Sequence, residues 1–250
     1  MKVVQISDCH LFADINKNGY NNINPALSLQ SVLVEVKSQQ PDLLLVTGDI
    51  SGDGSKQSYQ HFCKLISDST INCKINVIPG NHDNQSYLKA TLPADYLWVT
   101  NPHLVVSNRW RIHLLDTQFQ TTLGKLSANQ INALSDYVEQ HNNDYHLIAT
   151  HHHPVDCGGW MDKHQWLNRQ TFNDVVSSQP SIKGVVYGHI HVALSQQLGH
   201  CLYMACPATC WQYSTESSFS TTDLMPGFRV INLDKNGQID TTIHRLKERS

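Results

Sequence analysis

The segment Ile75-Asn76-Val77-Ile78-Pro79-Gly80-Asn81-His82-Asp83 passes from an apolar run to a dense set of polar groups. The apolar part predicts a buried strand, and Pro79-Gly80 the tight turn that closes it. Asn81, His82 and Asp83 then stand together at a strand end as metal ligands or proton carriers. The same arrangement recurs along the chain. Asp8-x-His10 follows Val3-Val4-Gln5-Ile6, and Gly48-Asp49 follows Leu43-Leu44-Leu45-Val46. His151-His152-His153 follows His146-Leu147-Ile148-Ala149, and Gly188-His189-x-His191 follows Val185-Val186-Tyr187. In α/β sheets ligands gather beyond the carboxyl ends of strands. Such clusters of Asp, Asn and His at strand ends imply a shared metal site and an enzyme built on it.

Working outward, Pro25–Gln39 carries Ala26, Leu29, Val32, Leu33 and Val36 at helical spacing, with Pro25 suited to a first turn. Leu29, Val32 and Val36 are core positions. The run 42–50 is continuously apolar, as in a strand covered on both faces, and 55–67 reads as a second helix. This βαβαβ rhythm predicts parallel strands. Beyond it, 97–99, 103–107 and 110–116 read as short strands, with a hairpin at Asn108-Arg109. Ser127 and Gln130 form a capping-box pattern at the start of a helix over 127–140. Strand 146–150, an irregular stretch over 154–169 and a helix over 171–178 follow. The last strands are 192–198, 201–205, 227–233 and 238–246, with Asn236-Gly237 as a hairpin turn. No repeat, low-complexity tract or linker divides the chain, so residues 1–250 are expected to form a single domain of two packed sheets flanked by helices.

Composition narrows the function. Hydrophobic residues at 40% and charged residues at 16% fit a soluble globular protein. A net charge of −3 gives no electrostatic footprint for nucleic acid or an anionic membrane, and neither is expected as a partner. No apolar run reaches the roughly 18 residues of a membrane span, and no signal peptide is evident. The 7 Cys lack a CxxC pair or regular spacing, which points to reduced thiols and a cytoplasmic protein. Cys9 lies between Asp8 and His10, but alternation along an extended chain turns it away from them. The 15 His are the compositional outlier.

Each motif has a plainer reading. Asp8-x-His10 is also the pattern of a turn Asp beside a solvated His, and Gly-Asp ends many loops. His189-x-His191 has a spacing common at zinc and iron sites and equally that of a structural pair. His151, His152 and His153 cannot all face one ion. Taken together and in order, coincidence becomes a poor account. Mixed carboxylate, amide and imidazole donors suit Fe, Mn or Zn, and two ions roughly 3.5–4 Å apart clamp a phosphoryl group.

The series Asp8-x-His10, Gly48-Asp49, Gly80-Asn81-His82-Asp83, His151 and Gly188-His189-x-His191 resembles the signature of the calcineurin-like metallophosphoesterase superfamily. Further stretches resemble its bacterial class III cyclic-nucleotide phosphodiesterase branch. They are His151-His152-His153-Pro154, 157–164 (Cys157-Gly158-Gly159-Trp160-Met161-Asp162-Lys163-His164), Pro207-Ala208-Thr209-Cys210 and Pro226-Gly227-Phe228-Arg229. The resemblance runs nearly the whole length. It implies a four-layer α-β-β-α sandwich of two mixed sheets flanked by helices. It implies two divalent ions, Fe²⁺ and/or Mn²⁺, with Asp8, His10 and His191 on the first, Asn81, His151 and His189 on the second, and Asp49 bridging. His152 adjoins His151, and the His-Pro element favours His151. The implied activity is hydrolysis of 3′,5′-cyclic AMP to 5′-AMP by in-line attack of a metal-bound hydroxide. A broader phosphodiesterase acting on glycerophosphodiesters or 2′,3′-cyclic nucleotides, and a non-catalytic metal-binding scaffold, are the alternatives. His82 is the expected proton donor, oriented by Asp83 through its second ring nitrogen. His10, Asp49, Asn81, His82 and His191 would contact the small-molecule cyclic nucleotide. Trp160, Trp166 and Trp211 are candidates for stacking on a purine, and Tyr20, Asn21 and Asn22 for the mouth of the site. Oligomeric state is not written in the sequence.

Overall fold

Strands β1 (Lys2–Ile6), β2 (Leu43–Thr47) and β3 (Lys74–Ile78) pair in parallel. They are almost wholly buried, which is why they read as apolar runs without alternation. This is a computed structural model, and it describes residues 1–107 and 109–247. The remaining strands are β4 (His103–Val105), β5 (Trp110–Leu114), β6 (Tyr145–Ala149), β7 (Ile182–Tyr187), β8 (Leu194–Leu198), β9 (Cys201–Ala205), β10 (Gln212–Tyr213), β11 (Thr221–Thr222), β12 (Gly227–Leu233) and β13 (Ile239–Arg245). One sheet has the order β13-β12-β1-β2-β3 and the other β4-β5-β6-β7-β9-β8, while β10 and β11 form a separate ribbon. Both large sheets are mixed. β1 to β3 and β5, β6, β7, β9 are parallel, β4 and β8 are antiparallel edges, and β12 runs antiparallel to both its neighbours, β1 and β13.

The sheets pack face to face, and the alternation of β6 and β7 shows how. Leu147, Ala149 and Val186 enter the core shared with β1 and β2. Their neighbours Ile148, Val185 and Tyr187 face the opposite way, into a second core with Ile131, Leu134, Phe172 and Val176. Those last residues belong to α4 (Ala128–Gln140) and α5 (Arg169–Ser178). On the other flank, α1 (Pro25–Ser38), α2 (Lys56–Ser69) and α3 (Gln85–Thr91) pack side by side. Each is started by a side-chain cap: Asn24 for α1, Ser55 for α2, Asn84 for α3, and the full Ser127/Gln130 box for α4. The result is the helix-sheet-sheet-helix arrangement expected from the sequence.

Arg229 ties the two sheets together. Only 1% exposed, it donates to the carbonyls of Ala205 and Leu194 and to the hydroxyls of Ser195 and Thr241. It thereby satisfies acceptors that would otherwise be buried unpaired.

Two sequence expectations change, and one helix has no counterpart in the sequence reading. Residues 97–99 are not a strand: Leu97 makes one bridge to Val77, and Leu97 and Trp98 are buried as part of a turn. Helix α3, with Leu88 as its one buried residue, has too sparse an apolar pattern to be read from periodicity. The chain at Asp8 and His10 is not extended, since both have positive φ. β4 and β5 do pair antiparallel, but Asn108 of the expected hairpin turn lies outside the described residues.

Candidate metal centre

All five polar clusters lie just past the carboxyl ends of β1, β2, β3, β6 and β7, where the two sheets meet. Asp8, His10, Asp49, Asn81, His151, His189 and His191 converge there. Ligand atoms of Asp8, His10 and His191 lie within 4.8 Å of one another, as do those of Asp49, His151 and His189. A third such group joins His10, Asp49 and His82, so Asp49, a member of the second set, links it to His10 of the first. Five of these residues hold left-handed backbone: Asp8 (φ 56°), His10 (48°), Asp49 (51°), His189 (70°) and His191 (52°). For non-glycine residues this costs on the order of 1 kcal/mol each. It turns the chain sharply at the strand end and aims side chains inward. Gly188 allows the closest of these approaches, since a Cβ there would overlap Ser7 Oγ and Asp8 Oδ2.

Hydrogen bonds behind the histidines fix their tautomers. His191 Nδ1–H donates to the Trp211 carbonyl at 2.8 Å, and His151 Nδ1–H to the Thr47 carbonyl at 2.8 Å. His189 Nε2–H donates to the His164 carbonyl at 3.2 Å. A carbonyl can only accept, so the other nitrogen of each ring is turned toward the site. For His191 and His151 that nitrogen faces a carboxylate. His191 Nε2 lies 3.0 Å from His10 Nε2 and 3.4 Å from Asp8 Oδ1. His151 Nε2 lies 3.1 Å from Asn81 Oδ1 and 3.4 Å from Asp49 Oδ2. Imidazole lone pairs buried against carboxylates stabilise positive charge between them, from protons or from cations. The ionisation of the site reflects this. Burial works against a charged His151, yet Asp49 and Asp8 beside it hold its pKa up at about 9. Burial pushes His10 down to about 3 despite Asp49. Asp49 is held well below the carboxylate range: burial opposes this, and His151 overcomes it. The donor set therefore fits a pair of metal ions, with backbone carbonyls orienting the candidate rings as at other metal sites.

His82 is exposed at the rim. Its backbone N–H donates to Asp49 Oδ1 at 2.8 Å, and its ring lies edge-on to His10 at 4.9 Å. Asp83 does not orient it. The Asp83 carboxylate is buried and accepts from the backbone N–H groups of Gly80 (2.9 Å), Ser51 (3.0 Å) and Ile50 (3.3 Å) and from Tyr59 Oη (3.2 Å). Burial and then the charge of Asp49 push Asp83 up to about 6, although two of those N–H groups favour its anion. Adjacent residues diverge, so His82 and Asp83 end up on opposite sides of the turn. Asp83 anchors the turn, and His82 is presented by it.

Within the histidine run, His151 reaches the cluster. His152 instead pairs with Thr117 through Nδ1 at 2.8 Å, and His153 lies 3.5 Å from Asp162. Cys9 is fully buried in the hydrophobic core and belongs to none of the donor groups found among the described residues. Asp162 accepts from the N–H groups of Cys157, Gly158 and Gly159, which shapes the loop that carries Trp160 and His164. Of the three tryptophans, Trp160 and Trp211 line the cavity over the cluster, as does Tyr20. Trp166 is core: it is 0% exposed and packs on Phe172. Asn21 and Asn22 brace the mouth without lining the cavity, whereas Phe219, unmarked by any motif, does line it.

Residues 1–193 match the family model for calcineurin-like phosphoesterases, and the chain belongs to that family. It is 34% identical over 252 residues to the 3′,5′-cyclic adenosine monophosphate phosphodiesterase CpdA of Vibrio vulnificus, spanning 98% of this chain and 90% of that protein. The protein of the same name from Pseudomonas aeruginosa is likewise 34% identical over 252 residues, with the same shares. In fold, a dimetal phosphatase from Danio rerio is similar with a TM-score of 0.72 at 13% identity, over 94% of this chain and 93% of that one.

Proposed function

We propose that this protein, a single domain over residues 1–250, hydrolyses 3′,5′-cyclic AMP to 5′-AMP in the cytoplasm. The observation that carries the reading is Asp49, a member of one buried donor triad that also groups with His10 of the other, lining one open cavity. Near-full-length similarity to relatives named as cyclic AMP phosphodiesterases supports the substrate. In this reading Asp8, His10 and His191 hold one divalent ion, Asn81, His151 and His189 hold another, and Asp49 is shared. Fe²⁺ and Mn²⁺ suit these mixed donors. When bound, the ions supply Lewis-acid stabilisation of phosphoryl charge and an activated water.

The chain's own residues do the rest. His82 is solvent-accessible and tethered to Asp49 through its backbone. From there its ring gives a proton to the 3′ oxygen as the P–O3′ bond breaks, so the leaving group departs as a neutral hydroxyl. Water supplies the new P–O bond, and the nucleotide leaves as 5′-AMP. Asp83, tied to three N–H groups, keeps Asn81 and His82 in place across the turn. Tests begin with product analysis after anaerobic incubation with cyclic AMP and Fe²⁺ or Mn²⁺, against a chelator control. Metal-dependent 5′-AMP is expected. Cleavage of bis-p-nitrophenyl phosphate without 5′-AMP formation would replace the substrate with a broader range of diesters. Turnover of neither would leave a scaffold.

A further inference from the structure

The cavity above the metal centre has a volume of about 620 Å³, more than a bare phosphodiester fills. One wall is aromatic and is assembled from distant segments: Tyr20, Trp160, Trp211, Tyr213 and Phe219. These rings differ in what they are free to do. Trp211, 4% exposed, stacks on His10 at 5.3 Å, and Tyr213 stacks on His191 at 4.2 Å. Both are engaged in holding candidate ligands. Gly19 lets Trp211 sit there, because a Cβ at that position would overlap the indole.

Tyr20 and Phe219 are different. They are 49% and 51% exposed, and their ring centroids are 5.2 Å apart. Single exposed aromatics are ordinary, but these two touch and both border the cavity. They are braced from behind, Tyr20 by Trp211 at 5.3 Å and Phe219 by Trp160 at 5.0 Å. A polar clasp fixes the segments that carry them. Asn21 Nδ2 donates to the Thr222 carbonyl at 2.8 Å, and Thr221 Oγ1 donates to Asn21 Oδ1 at 2.6 Å. Asn21 and Asn22 adopt φ of 54° and 56° to make this turn. The two rings are thus held rigid and half-bare beside a polar floor that binds phosphate chemistry. An aliphatic diester substituent gains little from such a wall, whereas a flat heteroaromatic ring gains stacking over its whole face.

We infer that Tyr20 and Phe219 are specificity-determining residues that stack the nucleobase of the substrate. The inference rests on the functional reading above and identifies what makes that site select nucleotides. Neither residue touches the reacting atoms, so their effect falls on binding. The test uses the metal-loaded full chain with Tyr20→Ala, Phe219→Ala and the conservative Tyr20→Phe. Steady-state rates on cyclic AMP, inhibition by inorganic phosphate, and 5′-AMP binding by intrinsic tryptophan fluorescence are compared. Each alanine variant is expected to raise KM and weaken 5′-AMP binding roughly 10-fold. Turnover number and phosphate inhibition stay as in wild type, and Tyr20→Phe behaves as wild type. If an alanine variant fails to fold, Tyr20→Leu or Phe219→Leu keeps the apolar bulk without the ring, with the same expectation. Wild-type 5′-AMP formation with unchanged KM and 5′-AMP affinity in the variants overturns the inference alone. Equal weakening toward phosphate and 5′-AMP also overturns it, since the floor would then be what changed. No 5′-AMP from wild type overturns the functional reading and this inference with it.

Discussion

Two groups of histidines share the six-stranded sheet, and they are wired in opposite ways. On the face under α4, His146 Nε2–H donates to the His141 carbonyl at 3.1 Å. His146 Nδ1 is then an acceptor and takes the Nε2–H of His113 at 2.8 Å. His113 Nδ1 in turn takes the Nδ1–H of His103 at 2.8 Å. Every N–H meets a lone pair, and the chain is complete with all three rings neutral. At the carboxyl ends of the strands the same reasoning, also started from backbone carbonyls, leaves the inward nitrogens of His151 and His191 pointing at the carboxylates of Asp49 and Asp8. One group is complete with neutral rings, and the other sets imidazole nitrogens against buried carboxylates, where a proton or a cation is stabilised. Histidine number therefore says little about metal binding, and the direction of the ring protons says much.

The largest effect is expected where that difference is greatest. Asp49→Asn removes the carboxylate that belongs to one triad and groups with His10 of the other. Metal content and turnover should both collapse, by on the order of 10³-fold for turnover, as read by elemental analysis and 5′-AMP formation. His82→Ala should slow hydrolysis of cyclic AMP about 10²–10⁴-fold while both ions stay bound. Full activity toward a poor leaving group would remove His82 from the proton-donor role. Asn81→Ala should lower occupancy of one ion and spare the other; unchanged metal content would take Asn81 out of the ligand set.

The remaining two sharpen the comparison through stability. Asp83→Ala strands buried N–H groups at Gly80 and Ser51 and should cost about 2–3 kcal/mol in urea unfolding. A stability change near zero would contradict its anchoring role. His113→Gln should leave metal content and turnover intact and cost about 1–2 kcal/mol at pH 8. Burial, then His146 and His103, hold His113 well below the ordinary imidazole value. A base with a depressed folded pKa adds stability above its unfolded value of about 6.5 and loses it as pH falls toward the folded value. The difference between wild type and His113→Gln should therefore shrink between pH 8 and pH 5. A constant difference would mean that His113 is not a neutral link.

What could be read from sequence follows the same divide. Buried parallel strands are uninterrupted apolar runs, so their ends, and the polar groups standing there, were visible at Asp8, Asp49, Asn81, His151 and His189. The turns beyond those ends were not. Neighbours in sequence suggested that Asp83 serves His82, but the tight turn from Gly80 to Asp83 sends the two apart. Helix α3 and the Leu97 turn were missed because packing and the Asn84 cap, rather than periodicity, hold them in place. Phe219 follows Ser217-Ser218 in a polar stretch with no motif. Its place in the cavity depends on the Asn21–Thr221 clasp, a contact across 200 residues of chain. Trp166 and Trp211 looked alike in sequence, and only packing distinguishes a core plug from a wall.

The most direct test of the account is metal stoichiometry. Wild type, Asp49→Asn and His113→Gln would be loaded anaerobically with Fe²⁺ or Mn²⁺, desalted and measured by elemental analysis. The account predicts about two ions per chain in wild type and in His113→Gln, and their loss in Asp49→Asn. Full metal content in Asp49→Asn, or loss confined to His113→Gln, would contradict it.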